Sequence, residues 1–205
     1  VNRIDYALIA QALSYYEGQG FTYIEVPWIV SKKAVEVTLP EGRAGLHCAD
    51  GTLVGSAEQS FIHMAMNHEI KPGRYMAASP CFRDDTPDEW HQRTFFKVEM
   101  IDLVDIEKDP NADDSSVPWY EMAQIALGFF RRFEPTALIE GSIVNEYAFD
   151  SHHEPGADIT LDGIELGSYG RRAMKGWRWT YGTGLAEPRF SMARDAVRLK
   201  VAALL

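Results

Sequence analysis

Arg83 and Asp85 stand two residues apart, and His91 and Phe95, four apart, follow across a polar stretch. Those residue types suit a nucleotide. A guanidinium pairs with phosphate, an aromatic ring offers its face to a base, and a carboxylate meets an exocyclic amine or a metal ion. Tyr75 to Arg83 is apolar and small and ends on the arginine, and Thr94 to Val104 alternates and is rich in Phe, Val, Met and Ile. Both are predicted as strands. Between them, Asp84 to His91 contains Pro87, which stops pairing, and charges that demand water. Such a hairpin gathers an arginine, carboxylates, a histidine and a phenylalanine around one surface.

Further along lie other groups with chemical capacity. Ser56 and Glu58 open a predicted helix with Ile62, Met66 and Ala65 on its inner face. Ser56 is placed to cap it and Glu58 to complement its dipole, and capping alone accounts for both locally. Asp162-Gly163 is a tight-turn signal leading into a strand from Ile164 to Gly170. A period of two puts Glu165 and Gly167 on one face and Ser168 on the other, unless Gly167 and Gly170 bulge the strand. Locally, Glu165 reads as a solvated carboxylate on an ordinary hairpin. Gly182, Gly184 and Ala186 permit close approach of backbone to a ligand, and Arg189 follows at the head of a final helix. A glycine turn before an amphipathic helix, with a stripe of Met192, Ala196, Leu199 and Ala203, is the plainer account. His152-His153-Glu154 is not read as a metal site, because adjacent histidines point apart and no third ligand has a suitable spacing. Trp177 and Trp179 read as a half-buried strand before a base-stacking face.

The elements that must position these groups follow the chain. Ile4, Ala7, Leu8, Ala12 and Tyr15 recur at helical spacing before Gly18 and Gly20, and Phe21 to Pro27 then alternates like a strand. Residues 38 to 50 are loop-like, and Asp50-Gly51 marks a hairpin between Leu46–Cys48 and Thr52–Val54. Residues 105 to 114 form an acidic connector, and Val117 to Phe133 is an amphipathic helix with Met122, Ile125, Ala126 and Phe129 inward. Strands are expected near Ile143 to Phe149 and Ala157 to Leu161. At 205 residues and 46% apolar content, the chain is expected to be a single domain, 1–205, with a real core.

Net charge is −10, from 20 basic against 30 acidic residues, which disfavours a protein whose main task is holding phosphate backbone. Arg171, Arg172, Lys175, Arg178, Arg189, Arg194, Arg198 and Lys200 crowd the C-terminal part. They read as phosphate-site residues plus a solvated helix face before a basic patch. No run of about 18 apolar residues exists, so no membrane span is expected. No export pattern precedes the first helix, and Cys48 and Cys81 make no disulfide framework, so a reducing cytoplasm is the default.

Taken together, Arg83-x-Asp85 with His91-x-x-x-Phe95 resembles the second signature motif of class II aminoacyl-tRNA synthetases. Cys81-Phe82-Arg83 and Phe95-x-Lys97-Val98-Glu99 are nearest the seryl type. Helix, Gly20-Phe21, strand and Pro27 are similar to the first motif, and Gly182, Gly184 and Arg189 to the third. All three occur in the family's order. The resemblance implies an α+β fold, an antiparallel β-sheet flanked by helices, in a minimal stand-alone core without anticodon-binding, coiled-coil or editing domain.

The resemblance further implies ATP-dependent amino-acid activation through an aminoacyl-adenylate, with ATP and Mg²⁺. Arg83 would bind the α-phosphate and substrate carboxylate, and Arg189 the γ-phosphate. Phe95 would stack under adenine, Asp85 would face its amino group, and His91 the pyrophosphate end. Glu165 and Ser168 would serve the metal and the ribose–phosphate region, and Gly184 would line the ATP site. Ser56, Glu58, Lys97, Glu99, Tyr181 and Thr183 would bind the amino acid, Glu58 through its α-ammonium. An acidic, hydroxyl-bearing pocket would favour a small polar or cationic side chain. Tyr181 replaces the asparagine of the seryl type, which puts serine in doubt, and Asp85 is a methylene shorter than the family's glutamate. The acceptor would be tRNA, a carrier protein or a small molecule; Asp84, Asp85, Asp88 and Glu89 beside it would repel a phosphate backbone. Cys48, Glu58 and Cys81 are the sole candidates for a carrier-ligase zinc, and none is expected. A homodimer through the Pro27 region is the family arrangement. A catalytically silent paralogue that binds a ligand or regulates a partner is the alternative.

Overall fold

The computed structural model describes residues 3–40, 42–108, 119–142 and 156–204. In chain order the elements are α1 (Tyr6–Glu17), β1 (Thr22–Tyr23), β2 (Ile29–Val30), α2 (Lys32–Glu36), β3 (Leu46–Cys48), β4 (Gly51–Leu53), α3 (Ala57–Met66), β5 (Gly73–Phe82) and β6 (Thr94–Asp105). There follow α4 (Trp119–Phe130), β7 (Leu138–Ser142), β8 (Gly156–Leu161), β9 (Ile164–Met174), β10 (Trp177–Glu187) and α5 (Arg189–Ala202). Seven strands form one sheet in the order β1-β5-β6-β10-β9-β8-β7, antiparallel except where β1 joins β5 in parallel. A small sheet, β2-β4-β3, stands beside it. The expected α+β architecture is present.

Alternation along the long strands divides the main sheet into two faces. Met76, Val98, Met100, Ile159, Leu161, Leu166, Tyr169 and Leu185 point to one, where they pack with buried residues of α1, α4 and α5. Ala77, Ile101, Leu103 and Trp179 point to the other, under Ala57, Phe61, Ile62 and Ala65 of α3. Helix α3 covers only part of that second face. The uncovered remainder carries the polar side chains, and there the site lies.

Several elements depart from the sequence expectations. The first helix is capped by Asp5, whose Oδ1 accepts from Leu8 N at 3.0 Å, and it buries Leu8, Ile9, Ala12 and Tyr16, while Ala7 is exposed. The expected strand from Phe21 to Pro27 shrinks to the two paired residues of β1. The hairpin turn before β4 is Ala49-Asp50 rather than Asp50-Gly51, because Cys48 pairs with Gly51. The inward face of α5 is Phe190, Ala193 and Val197; Leu199 is 72% exposed and Ala203 is also exposed, so the expected stripe was misphased. Phe190, wedged against Phe130 and Phe133, fixes that rotation. By contrast, the inner residues of α4 include Met122, Ala126 and Phe129 as expected, and Asp162 and Gly163, at φ 54° and 79°, make the turn from β8 to β9. The strand expected near Ile143 to Phe149, the His152-His153-Glu154 cluster and most of the acidic connector fall outside the described residues.

Candidate active site

Arg83 and Arg189 line one cleft, although 106 positions separate them along the chain. Asp85, Trp90, His91 and Phe95 complete the wall on the hairpin side, with Glu187 and Pro188 opposite. Arg83 follows β5 and is braced by its Nε, which donates to Gly55 O at 3.1 Å. Its guanidinium carbon lies 5.1 Å from the centroid of the Phe95 ring. Arg189 opens α5; its Nε donates to Trp90 O at 3.3 Å, and its Nη1 lies 3.3 Å from Glu165 Oε1. Burial lowers the Arg189 pKa, Glu165 counters that, and the charge of Arg83 lowers it further. The two cations therefore repel each other across a space that suits a polyanion.

The loop between β5 and β6 is held by its own charges. Asp88 Oδ1 accepts from the backbone N–H of Trp90 and of His91, both at 2.7 Å, and its Oδ2 meets His91 Nδ1 at 2.8 Å. The hydrogen bond to His91, with the two backbone N–H groups, lowers the Asp88 pKa. Asp85 pairs with Arg43 Nη1 at 2.6 Å. His91 and Asp85 thus reach the cleft already partnered, an arrangement their spacing did not disclose.

Deeper on the same sheet face lie two carboxylates, both buried. Glu99 receives Lys97 Nζ at 2.8 Å, the Ser56 hydroxyl at 2.8 Å and the backbone N–H of Ala57. Burial pushes its pKa up, but Lys97 and the hydrogen bonds outweigh this and leave it below the ordinary glutamate value. Glu58 holds Arg172 Nη1 at 2.5 and 2.7 Å and Trp179 Nε1 at 2.7 Å. Arg172 in turn lies 3.9 Å from the centroid of the Tyr181 ring. Ser56 does cap α3, accepting from Glu58 N at 3.2 Å, and it bridges to Glu99 as well. Capping and site-building are here one arrangement. The buried Ser79 hydroxyl, without a hydrogen-bond partner among the described residues, is on the strand residue opposite Lys97.

Sequence reasoning missed Arg172, grouped with phosphate-site and solvated-face residues but only 9% exposed. The available signal was its place in an alternating strand: two residues past Gly170, and so on the face shared with Tyr181 and Trp179. Trp90 was also overlooked, since a tryptophan in a charged loop carries no periodic signal.

Two bulges aim the remaining residues. In β9, Thr160 faces Glu165 but Asp158 faces Ser168, so Leu166 is an extra residue. That puts Glu165 and Ser168 on one face, resolving the alternative left open by strict alternation. In β10, Thr183 faces Glu99 while Leu185 faces Val98, leaving Gly184 extra. Carbonyls freed by this bulge are satisfied from the core side: Tyr16 Oη donates to Gly184 O at 2.8 Å, and Tyr169 Oη donates to Thr183 O. Burial raises both phenol pKa values well above normal, which keeps the donating protons in place. A side chain at Gly184 would strike the Tyr16 ring, its Cβ 2.5 Å from Cε2, so this glycine serves packing rather than open ligand approach.

Among the described residues, no three His, Cys, Asp or Glu groups cluster in a way that could hold a metal ion, and no helix is long and apolar enough to cross a membrane. Glu165 and Ser168 nonetheless supply two hard oxygen donors on one face beside Arg189, a set that fits Mg²⁺, which uses few protein ligands together with phosphates and water.

No protein-family model matches the chain. A serine–tRNA ligase from Cenarchaeum symbiosum (strain A) is 24% identical over 138 residues, covering 63% of this chain and 33% of the relative, so the match spans about a third of that protein's length. A pyrrolysyl-tRNA synthetase structure from Desulfitobacterium hafniense superposes with a TM-score of 0.65 at 15% identity, covering 93% of this chain and 68% of the other. The seryl-tRNA synthetase of Pyrococcus horikoshii, complexed with ATP, superposes with a TM-score of 0.62 at 20% identity, over 92% of this chain and 49% of the other. With its mostly antiparallel seven-stranded sheet and flanking helices, the chain has the fold of a class II aminoacyl-tRNA synthetase catalytic core.

Proposed function

We propose that the cleft activates an amino acid with ATP and Mg²⁺, forming an aminoacyl-adenylate and pyrophosphate and passing the aminoacyl group to tRNA, a carrier protein or a small molecule. The observation that carries this reading is the meeting of Arg83, Arg189 and Phe95 on one cleft. Attack of a carboxylate oxygen on the α-phosphorus forms one P–O bond and breaks the bond to pyrophosphate. Two anions must approach each other, so fixed cations and positioning matter more than proton transfer.

In this reading Arg83 binds the α-phosphate and the substrate carboxylate, and Arg189 takes the γ-phosphate, releasing its contact with Glu165. Phe95 stacks on adenine, Asp85 meets the adenine amino group, and His91 stands at the pyrophosphate end. Gly184 shapes the β10 backbone alongside. Glu165 and Ser168 hold Mg²⁺, which offsets triphosphate charge. Ser56, Lys97, Glu99, Tyr181 and Thr183 form the amino-acid subsite with Glu58, whose carboxylate is shared between Arg172 and the incoming α-ammonium. The protein assembles as a homodimer through the Pro27 region, where Tyr23, Trp28 and Ile29 are 39%, 50% and 40% exposed.

ATP–pyrophosphate exchange across the standard amino acids tests the proposal. Exchange with at least one is the expected result. No exchange with any, alongside retained ATP binding, would favour a silent ligand-binding paralogue.

A further inference from the structure

We propose that Arg172 and Tyr181 restrict the amino-acid subsite to small, uncharged α-amino acids and make it reject cationic ones; this rests on the activation reading above. The charges decide the first half. Among the described residues, Glu58 is matched by Arg172 and Glu99 by Lys97, so these four formal charges cancel. A zwitterionic amino acid adds one ammonium and one carboxylate, the latter directed to Arg83. A second cation on the side chain finds both of these described carboxylates already paired and faces the Arg172 guanidinium. In this proposal the two paired glutamates do not make the pocket acidic, and small uncharged side chains are favoured over cationic ones.

Space decides the second half. The Tyr181 ring lies against the β9 backbone, its hydroxyl 2.6 Å from where a Cβ on Gly170 would stand. Arg172 stacks on that ring, and Trp179, fully buried, closes the face beyond Glu58. A long or branched side chain meets filled volume there.

The test uses the full chain, with ATP–pyrophosphate exchange and calorimetric binding of glycine, alanine, serine, leucine, lysine and ornithine. The best small amino acid is expected to exceed lysine and ornithine by about a hundredfold or more. Arg172→Ala is expected to narrow that ratio at least about tenfold, and Tyr181→Ala to narrow the alanine-to-leucine ratio similarly. Should Arg172→Ala fail to fold, Tyr181→Ala, checked by thermal melting, carries the variant arm. Lysine or ornithine matching alanine in the wild type overturns the charge half. An alanine-to-leucine ratio unchanged in folded Tyr181→Ala overturns the size half. If no amino acid supports exchange but calorimetry still ranks small above cationic, the activation reading fails and this preference stands. If no small amino acid binds while ATP does, the preference itself is refuted.

Discussion

Arg83 and Arg189 face each other across a cleft floored by Phe95, one carried by the end of a strand and the other by the first turn of a helix. Arg83→Ala and Arg189→Ala are each expected to lower ATP–pyrophosphate exchange by about two orders of magnitude or more, as for loss of one preorganised charge-stabilising donor. Neither should greatly change the melting temperature, because removing one of two repelling cations relieves part of their mutual cost. Normal exchange in either variant removes the role given to that arginine.

The Arg172–Glu58 pair behaves differently because both partners are buried. Among the described residues, Arg172→Ala leaves the desolvated Glu58 carboxylate with the Trp179 N–H alone, and a loss of about 3–5 kcal/mol in denaturant unfolding is expected. The double substitution Glu58→Gln with Arg172→Met should recover most of this stability. A double variant as unstable as the single one would mean that packing, not charge, is what the arginine provides.

Glu99 gives a pH signature. Its folded pKa lies below the ordinary 4.5. The stability it contributes is therefore present above that value and lost as pH falls through the lowered folded value. Glu99→Gln should cost about 1–3 kcal/mol near neutrality, with the gap to wild type closing in acid. Unfolding curves collected from pH 7 downwards measure this, and a gap that widens in acid would reverse the sign assigned here.

The bulge in β10 depends on two buried phenols. Tyr16→Phe and Tyr169→Phe each leave a buried carbonyl without its donor, and each should destabilise by about 1–3 kcal/mol. If Thr183 is held in the subsite by this bulge, both should also raise the KM for the amino acid more than that for ATP. Equal effects on the two substrates would assign the tyrosines to stability alone.

Gly167 is similarly constrained. A Cβ there would lie 2.8 Å from Thr183 Cβ and 2.9 Å from Thr183 O, so Gly167→Ala should cost about 1–3 kcal/mol of stability through overpacking. A melting temperature equal to wild type would show that β9 and β10 separate there at little cost.

Much of this architecture was legible because local signals agreed. Asp162-Gly163 marked its turn, the alternation of Thr94 to Val104 marked β6, and the spacing of Arg83, Asp85, His91 and Phe95 placed the cleft residues on one hairpin. The α5 stripe failed because alanines at Ala196 and Ala203 fit either face, and Phe190, the true anchor, stood just before the counted run. The partners of Glu58 and Glu99 were hidden for another reason. Arg172 lies 114 positions from Glu58, and only the closing of β9 beside β10, under α3, brings them together. Spacing reports neighbours along one strand or helix, whereas a buried ion pair is decided by the sheet order.

Leu166 has a consequence beyond its place in the core. As the one unmatched residue in this part of the β9 ladder, it acts as a half-period phase shift in an otherwise alternating sequence. Deleting it would leave Glu165 and Ser168 two positions apart in a regular ladder, still on the cleft face but without the local bend that the bulge gives β9. Those two oxygen donors can therefore share a face at a spacing of two in a regular strand or of three across one bulge.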